Sequence, residues 1–214
     1  MEQNRGELRK VDKALIKKYF LLGEQYGETA KLLLETLIKN GNSNMGIGST
    51  MEEAKEMMER NSIKSDLYLF IPAIFSCLQC TELYMKGLIL LSGNEFTRGH
   101  SAENLLDKLR EIYKEDSEVF SNYKAFYESQ IDIIREYERE NGIVRTDDLY
   151  MSLRYPEITL HLSDGTKVNS SEIGYEKLMY NGDVGIRQFS ELLCIFKTVK
   201  QVTVKEYNQN APLF

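Results

Sequence analysis

Between residues 66 and 92 the chain is apolar on almost every face of a helix. Leu67, Ile71, Ile74, Leu78, Thr81, Met85 and Leu88 recur three or four apart and form one stripe, while Phe70, Phe75, Cys77, Tyr84 and Leu91 fill the other faces. A helix with no face for water belongs at the centre of a bundle, so the rest of the chain has to be arranged around it. Its polar residues, Ser76, Gln79, Glu82 and Lys86, are also three or four apart. One narrow polar stripe therefore runs down a buried helix. Two readings are open: an ion pair between Glu82 and Lys86 at the helix rim, or a polar groove or dimer seam.

The helical period dominates the remainder. Val11, Leu15, Tyr19, Leu22, Tyr26, Ala30, Leu33 and Leu37 predict a long amphipathic helix over about 8–39. Gly23 and Gly27, one turn apart in it, either allow close helix approach or are tolerated weak spots. Asn40-Gly41-Asn42 ends it. Gly46-Ile47-Gly48-Ser49-Thr50 faintly resembles a phosphate loop, but it lacks the Lys of a Walker motif and follows no strand. Thr50-x-x-Glu53 is a capping box for a short helix to about Arg60. Ser101 is a candidate N-cap for a helix carrying Leu105, Leu106, Leu109 and Ile112. Further helices are expected over about 117–140, from Thr146 to Leu153, from Ser170 or Ser171 to about Tyr180, and over about 183–206. The period changes only once. Ile158, Leu160 and Leu162 alternate with Thr159, His161 and Ser163, and Asp164-Gly165 is a turn dipeptide, which predicts a β-hairpin. The expected fold is all-α: an up-and-down helical bundle with a long N-terminal helix and a small inserted hairpin. Residues 1–60 are expected to be a helical extension, 61–207 the bundle with its insert at about 157–169, and 208–214 a tail.

Composition narrows the chemistry. A formal charge of -6 over 214 residues argues against a broad basic surface for duplex nucleic acid. His100 and His161 are the only imidazoles, and Cys77, Cys80 and Cys194 the only thiols. Zinc wants four ligands at metal spacing, so no metal is expected and no cofactor is implied. Cys77 and Cys80 share a face of an apolar helix and are expected in the core. The charged stretch from Met1 to Lys13 has no apolar signal region. The most apolar run, Leu67 to Cys80, is 14 residues, short of the roughly 20 that span a bilayer. A cytoplasmic protein with no membrane contact is expected.

Three motifs, in order, carry a family resemblance. Gln79, Glu82 and Lys86 precede aliphatic residues in the central helix; Gly99-His100-Ser101 then opens a Leu-rich helix; Leu153-Arg154-Tyr155-Pro156-Glu157 follows later. Over about residues 65–205 this resembles the HEPN family, with Ser101 standing where the family has Asp. The resemblance implies a bundle of four or five helices, usually dimeric. Many members are metal-independent ribonucleases of toxin or antiphage systems. Others are non-catalytic modules that dimerise, bind a nucleotide, or pair with a partner such as a nucleotidyltransferase.

Catalytic members carry Arg, four to six residues, then His, and Arg154 and His161 match that pattern. By resemblance they are the candidate catalytic pair. Cleaving RNA without a metal needs a base for the 2′-hydroxyl proton and a cation for the phosphate. His suits the first because its pKa lies near neutrality, and the Arg fork suits the second. Seven residues apart on a helix the two share a face; on a strand they oppose. Pro156 and the alternation after it favour extended structure. Gln79, Glu82, Lys86, Arg98, His100 and Tyr155 are candidate binding residues lining a polar groove. For His100 a helix-entry role is the alternative, for His161 an exposed position on the hairpin, and for Arg154 a bond to helix-end carbonyls or to a buried carboxylate such as Glu82. Where the antitoxin-controlled branch has a Tyr two residues after the His, this chain has Ser163.

Overall fold

The computed structural model describes residues 13–40, 50–53, 56, 69–96, 99–129, 139, 142, 157, 159–169 and 186–210. The expected helices over 146–153 and 170–180, the ends of those over 8–39, 50–60, 66–92 and 117–140, and the tail from 211 lie outside these residues. What is described is an all-α bundle with one small hairpin, as the periodicity predicts. The helices are α1 (Lys13–Asn40), α2 (Phe70–Leu91), α3 (Ala102–Tyr113), α4 (Glu118–Glu128) and α5 (Ile186–Asn210), with strands β1 (Thr159–His161) and β2 (Lys167–Asn169) before the last helix.

Helix α2 is the core. Ala73, Cys80, Met85, Leu88 and Ile89 have essentially no exposed surface, because α1, α3 and α5 pack around it. It is long and apolar enough to cross a membrane by length and composition, a longer stretch than the run from Leu67 to Cys80, yet 78% of its most apolar window is buried inside the protein. Ring contacts fix the helix directions. Phe20 of α1 meets Tyr84 of α2 at 5.9 Å and Tyr207 of α5 at 4.4 Å, and Tyr26 meets Phe75. Helix α1 is thus antiparallel to α2 and, since Glu28 meets Lys200 and Glu35 meets Lys197, to α5 as well. Phe126 of α4 meets Phe196 of α5, and Phe70 of α2 meets Phe189.

Local chemistry sets the helix ends. Ser101 and Ser117 are N-caps, accepting from Asn104 N and Phe120 N, and Thr50 accepts from Glu53 N at 3.1 Å. Helix α5 runs past the expected end near 206 to Asn210, whose side chain bonds the Glu206 carbonyl. Helix α4 stops at Glu128, where the Ser129 hydroxyl donates to the Phe126 carbonyl.

Helices α1 and α2 interlock through reciprocal glycines. A Cβ at Gly23 of α1 would lie 2.6 Å from the Tyr84 ring, and one at Gly87 of α2 would lie 2.8 Å from the Phe20 ring. Each helix gives a ring to the other's glycine, so of the two readings of Gly23, close approach holds. The Tyr84 hydroxyl also donates to Glu24. Lys200 of α5 reaches Glu24 at 2.9 Å and Glu28 at 2.7 Å. Its hydrogen bond and charge hold the Glu28 carboxyl below its ordinary pKa, so this contribution to stability is present at neutral pH and fades as pH falls through the lowered value. Buried hydroxyls are satisfied across helices too. Thr203 donates to the Val199 carbonyl, so the 2.7 Å bond from Tyr123 to Thr203 uses the tyrosine proton.

Gly23→Ala is expected to destabilise the protein by about 1–2 kcal/mol, because overpacking outweighs the helix-propensity gain of about 1 kcal/mol. Urea unfolding measures it, and a stabilised variant contradicts the close packing.

Candidate functional site

The polar stripe of α2 does not reach a rim. Glu82 and Lys86 are 4% and 7% exposed, and Lys86 Nζ donates to Glu82 Oε1 at 2.5 Å. The expected pair therefore forms, but inside the protein, because the connection after α2 folds back over it. Lys86 also donates to the Gly99 carbonyl at 2.7 Å, and its ammonium lies 5.6 Å from the centre of the Phe96 ring. His100 Nδ1 sits 2.9 Å from the same Glu82 Oε1. Glu82 Oε2 is buried and, among the described residues, has no hydrogen-bond partner. Gln79, about a turn earlier, is also buried.

This arrangement is a clasp. One carboxylate oxygen gathers an ammonium from its own helix and an imidazole from the entry to α3, and the ammonium holds the backbone just before that imidazole. A lone charge at this depth would be costly, so each charge depends on the other. His100 is half-exposed and immediately precedes the N-cap Ser101. It stands at the entry to the helix and bonds Glu82 of the polar stripe.

Of the other candidates, Arg98, Arg154 and Tyr155 lie outside the described residues. His161 is the last residue of β1, half-buried rather than exposed on the hairpin. Strand alternation points its neighbour Leu160 into the core at 1% exposure and puts His161 on the other face. The register is fixed: Leu160 pairs with Val168 and His161 with Lys167. Asp164 closes the turn by accepting from Thr166 N and Oγ1. Ser163 N donates to the carbonyl of Gly142 at 2.8 Å, and Gly142 has φ +66°, a value that favours glycine. The imidazole is thus carried on a pinned element, with its Nδ1 shielded from solvent.

Sequence reasoning missed Phe96 and the Gly99 carbonyl as partners of Lys86. The signal was indirect: a buried ammonium has three protons to place, and Glu82 takes only one. Beside the clasp is a depression of about 170 Å³, lined by Glu95, Phe96, Gly99, Ser101, Asn104 and Lys108 among others. The Ser101 hydroxyl is engaged in capping and Lys108 bonds Glu111. Among the described residues no group of three or more His, Cys, Asp or Glu is placed to hold a metal ion. Cys77 and Cys80 are buried as expected, and burial raises both thiol pKa values.

A helical bundle built on a buried helix with this Gln, Glu and Lys spacing and a His at the next helix entry is the architecture the resemblance implies, with the late hairpin as an addition to it. A family model for the HEPN domain matches residues 48–173. The chain belongs to the HEPN family. The match takes in α2, α3, α4 and the hairpin with every candidate residue, and leaves α1 and α5 outside. It starts earlier and ends earlier than the span of about 65–205 suggested by the motifs. No curated protein and no solved structure matches the chain.

Glu82→Ala is expected to cost about 3–5 kcal/mol in urea unfolding, as for a buried pair with one partner removed. Pairing Glu82→Leu with Lys86→Met should cost less. A cost under about 1 kcal/mol for Glu82→Ala is what an exposed pair would show. Iodoacetamide on the native protein at pH 8 is expected to label only Cys194, which is exposed; mass spectrometry of the peptides reads the outcome.

Proposed function

We propose that this HEPN protein is a metal-independent endoribonuclease of a toxin or antiphage defence system, cytoplasmic and working as a homodimer. One observation carries the reading. Within the span matched by the HEPN model the chain holds Arg154, six residues, then His161, the pattern that catalytic members of the family carry. His161 would take the proton of the RNA 2′-hydroxyl as that oxygen bonds to phosphorus and the 5′-oxygen leaves. Arg154 would hold the phosphate oxygens through its fork. A second copy would bring a second pair to the same phosphate and return the proton to the leaving oxygen. Such a small site is compatible with an acidic chain, because attraction is concentrated at one phosphate. A pinned hairpin suits an imidazole that has to be positioned.

A second reading is a non-catalytic HEPN module that binds a nucleotide or a partner such as a nucleotidyltransferase. Two observations favour a non-catalytic module: Ser101 and Ser163 depart from the family's usual residues, the latter removing the Tyr that a nucleotidyltransferase would modify, and His161 is half-buried on a strand.

The purified protein is expected to cut single-stranded RNA in EDTA. His161→Ala and Arg154→Ala should each slow cutting by about 10²–10⁴-fold, the usual worth of a positioned acid–base group, with unchanged circular dichroism. Equal cutting by His161→Ala removes the imidazole from the chemistry. If no RNA is cut, and calorimetry shows a nucleotide or partner binding, the second reading holds.

A further inference from the structure

Helix α1 lies outside the span matched by the HEPN model. Its inner face is fully used against α2 and α5, but its outer face carries a second pattern. Lys18, Leu21, Gln25, Glu28, Leu32 and Glu35 follow one another alternately three and four apart, and all six are exposed. That is the 3.5-residue period of a helix–helix seam. Leu21 and Leu32 are 55% and 65% exposed, among the most exposed large apolar residues described.

The stripe is also self-complementary in reverse. About a two-fold axis passing between Tyr26 and Gly27, each residue faces the one whose number makes the sum 53. Leu21 then meets Leu32, Gln25 meets Glu28, and Lys18 meets Glu35, each pair occurring twice. An isologous contact between two copies requires this kind of pattern. Lys18 has no ionic partner among the described residues, while Glu35 uses only Oε1, on Lys197 at 3.1 Å, which leaves Oε2 to a second cation. We propose that the outer face of α1 is a homotypic docking surface on which a second copy of this chain lays its own α1 antiparallel.

The contact has a small apolar centre flanked by ion pairs, so it is reversible and weakened by salt. The full-length protein is tested by sedimentation equilibrium at low salt. The wild type is expected to associate, and Leu21→Ser with Leu32→Ser to lose one association step while keeping its circular dichroism. Lys18→Glu alone sets like charges opposite each other twice and should weaken association about tenfold or more. Lys18→Glu combined with Glu35→Lys restores opposite charges and should recover it. A monomeric wild type, unchanged association in the double serine variant, or failure of the charge swap to restore association each overturns the proposal. None of these outcomes depends on whether the protein cuts RNA.

Discussion

Everything in this structure depends on a charged pair buried in the most apolar helix of the chain. Helix α2 is covered on nearly all sides, yet it carries Glu82 and Lys86 at depth. A carboxylate or an ammonium alone there would be strongly destabilising. The chain answers by folding the connection after α2 back onto the helix, so that the Gly99 carbonyl and His100 complete the set of partners. The polar stripe thus fixes where α3 begins, and with it the course of the chain along one side of the bundle.

The outer layer follows from the same helix. Because α2 is nearly all apolar, α1 has to approach it closely, and reciprocal glycines permit that approach. Tyr84 shows how the layers are joined: its ring fills the space at Gly23 and its hydroxyl binds Glu24, whose other oxygen is held by Lys200 of α5. One side chain therefore links three helices. The polar groups of the clasp bridge α2 and the entry to α3, which positions one against the other.

Much of this was legible in the residues. The 3.6-residue period marked all five described helices, and the switch to alternation at Ile158 marked the hairpin, because both signals are local. Ser101 as an N-cap was legible for the same reason. Gln79, Glu82, Lys86 and His100 were legible as a group only through the family resemblance, since spacing alone left their setting open. The partners Phe96 and Gly99 were not legible: a backbone carbonyl carries no sequence signature, and a loop aromatic is unremarkable until the loop closes.

The sequence by itself determined which segments are helical, that α2 lies at the centre, and that the chain is a HEPN protein, since these rest on periodicity and motif order along the chain. Only the tertiary structure decided that the Glu82–Lys86 pair is internal, that Gly23 is a contact rather than a weak spot, and that His161 sits half-buried on a pinned strand. Those outcomes depend on segments far apart in the chain meeting in space. Burial, and with it the strength of every charge interaction, is a property of that meeting and not of any one segment.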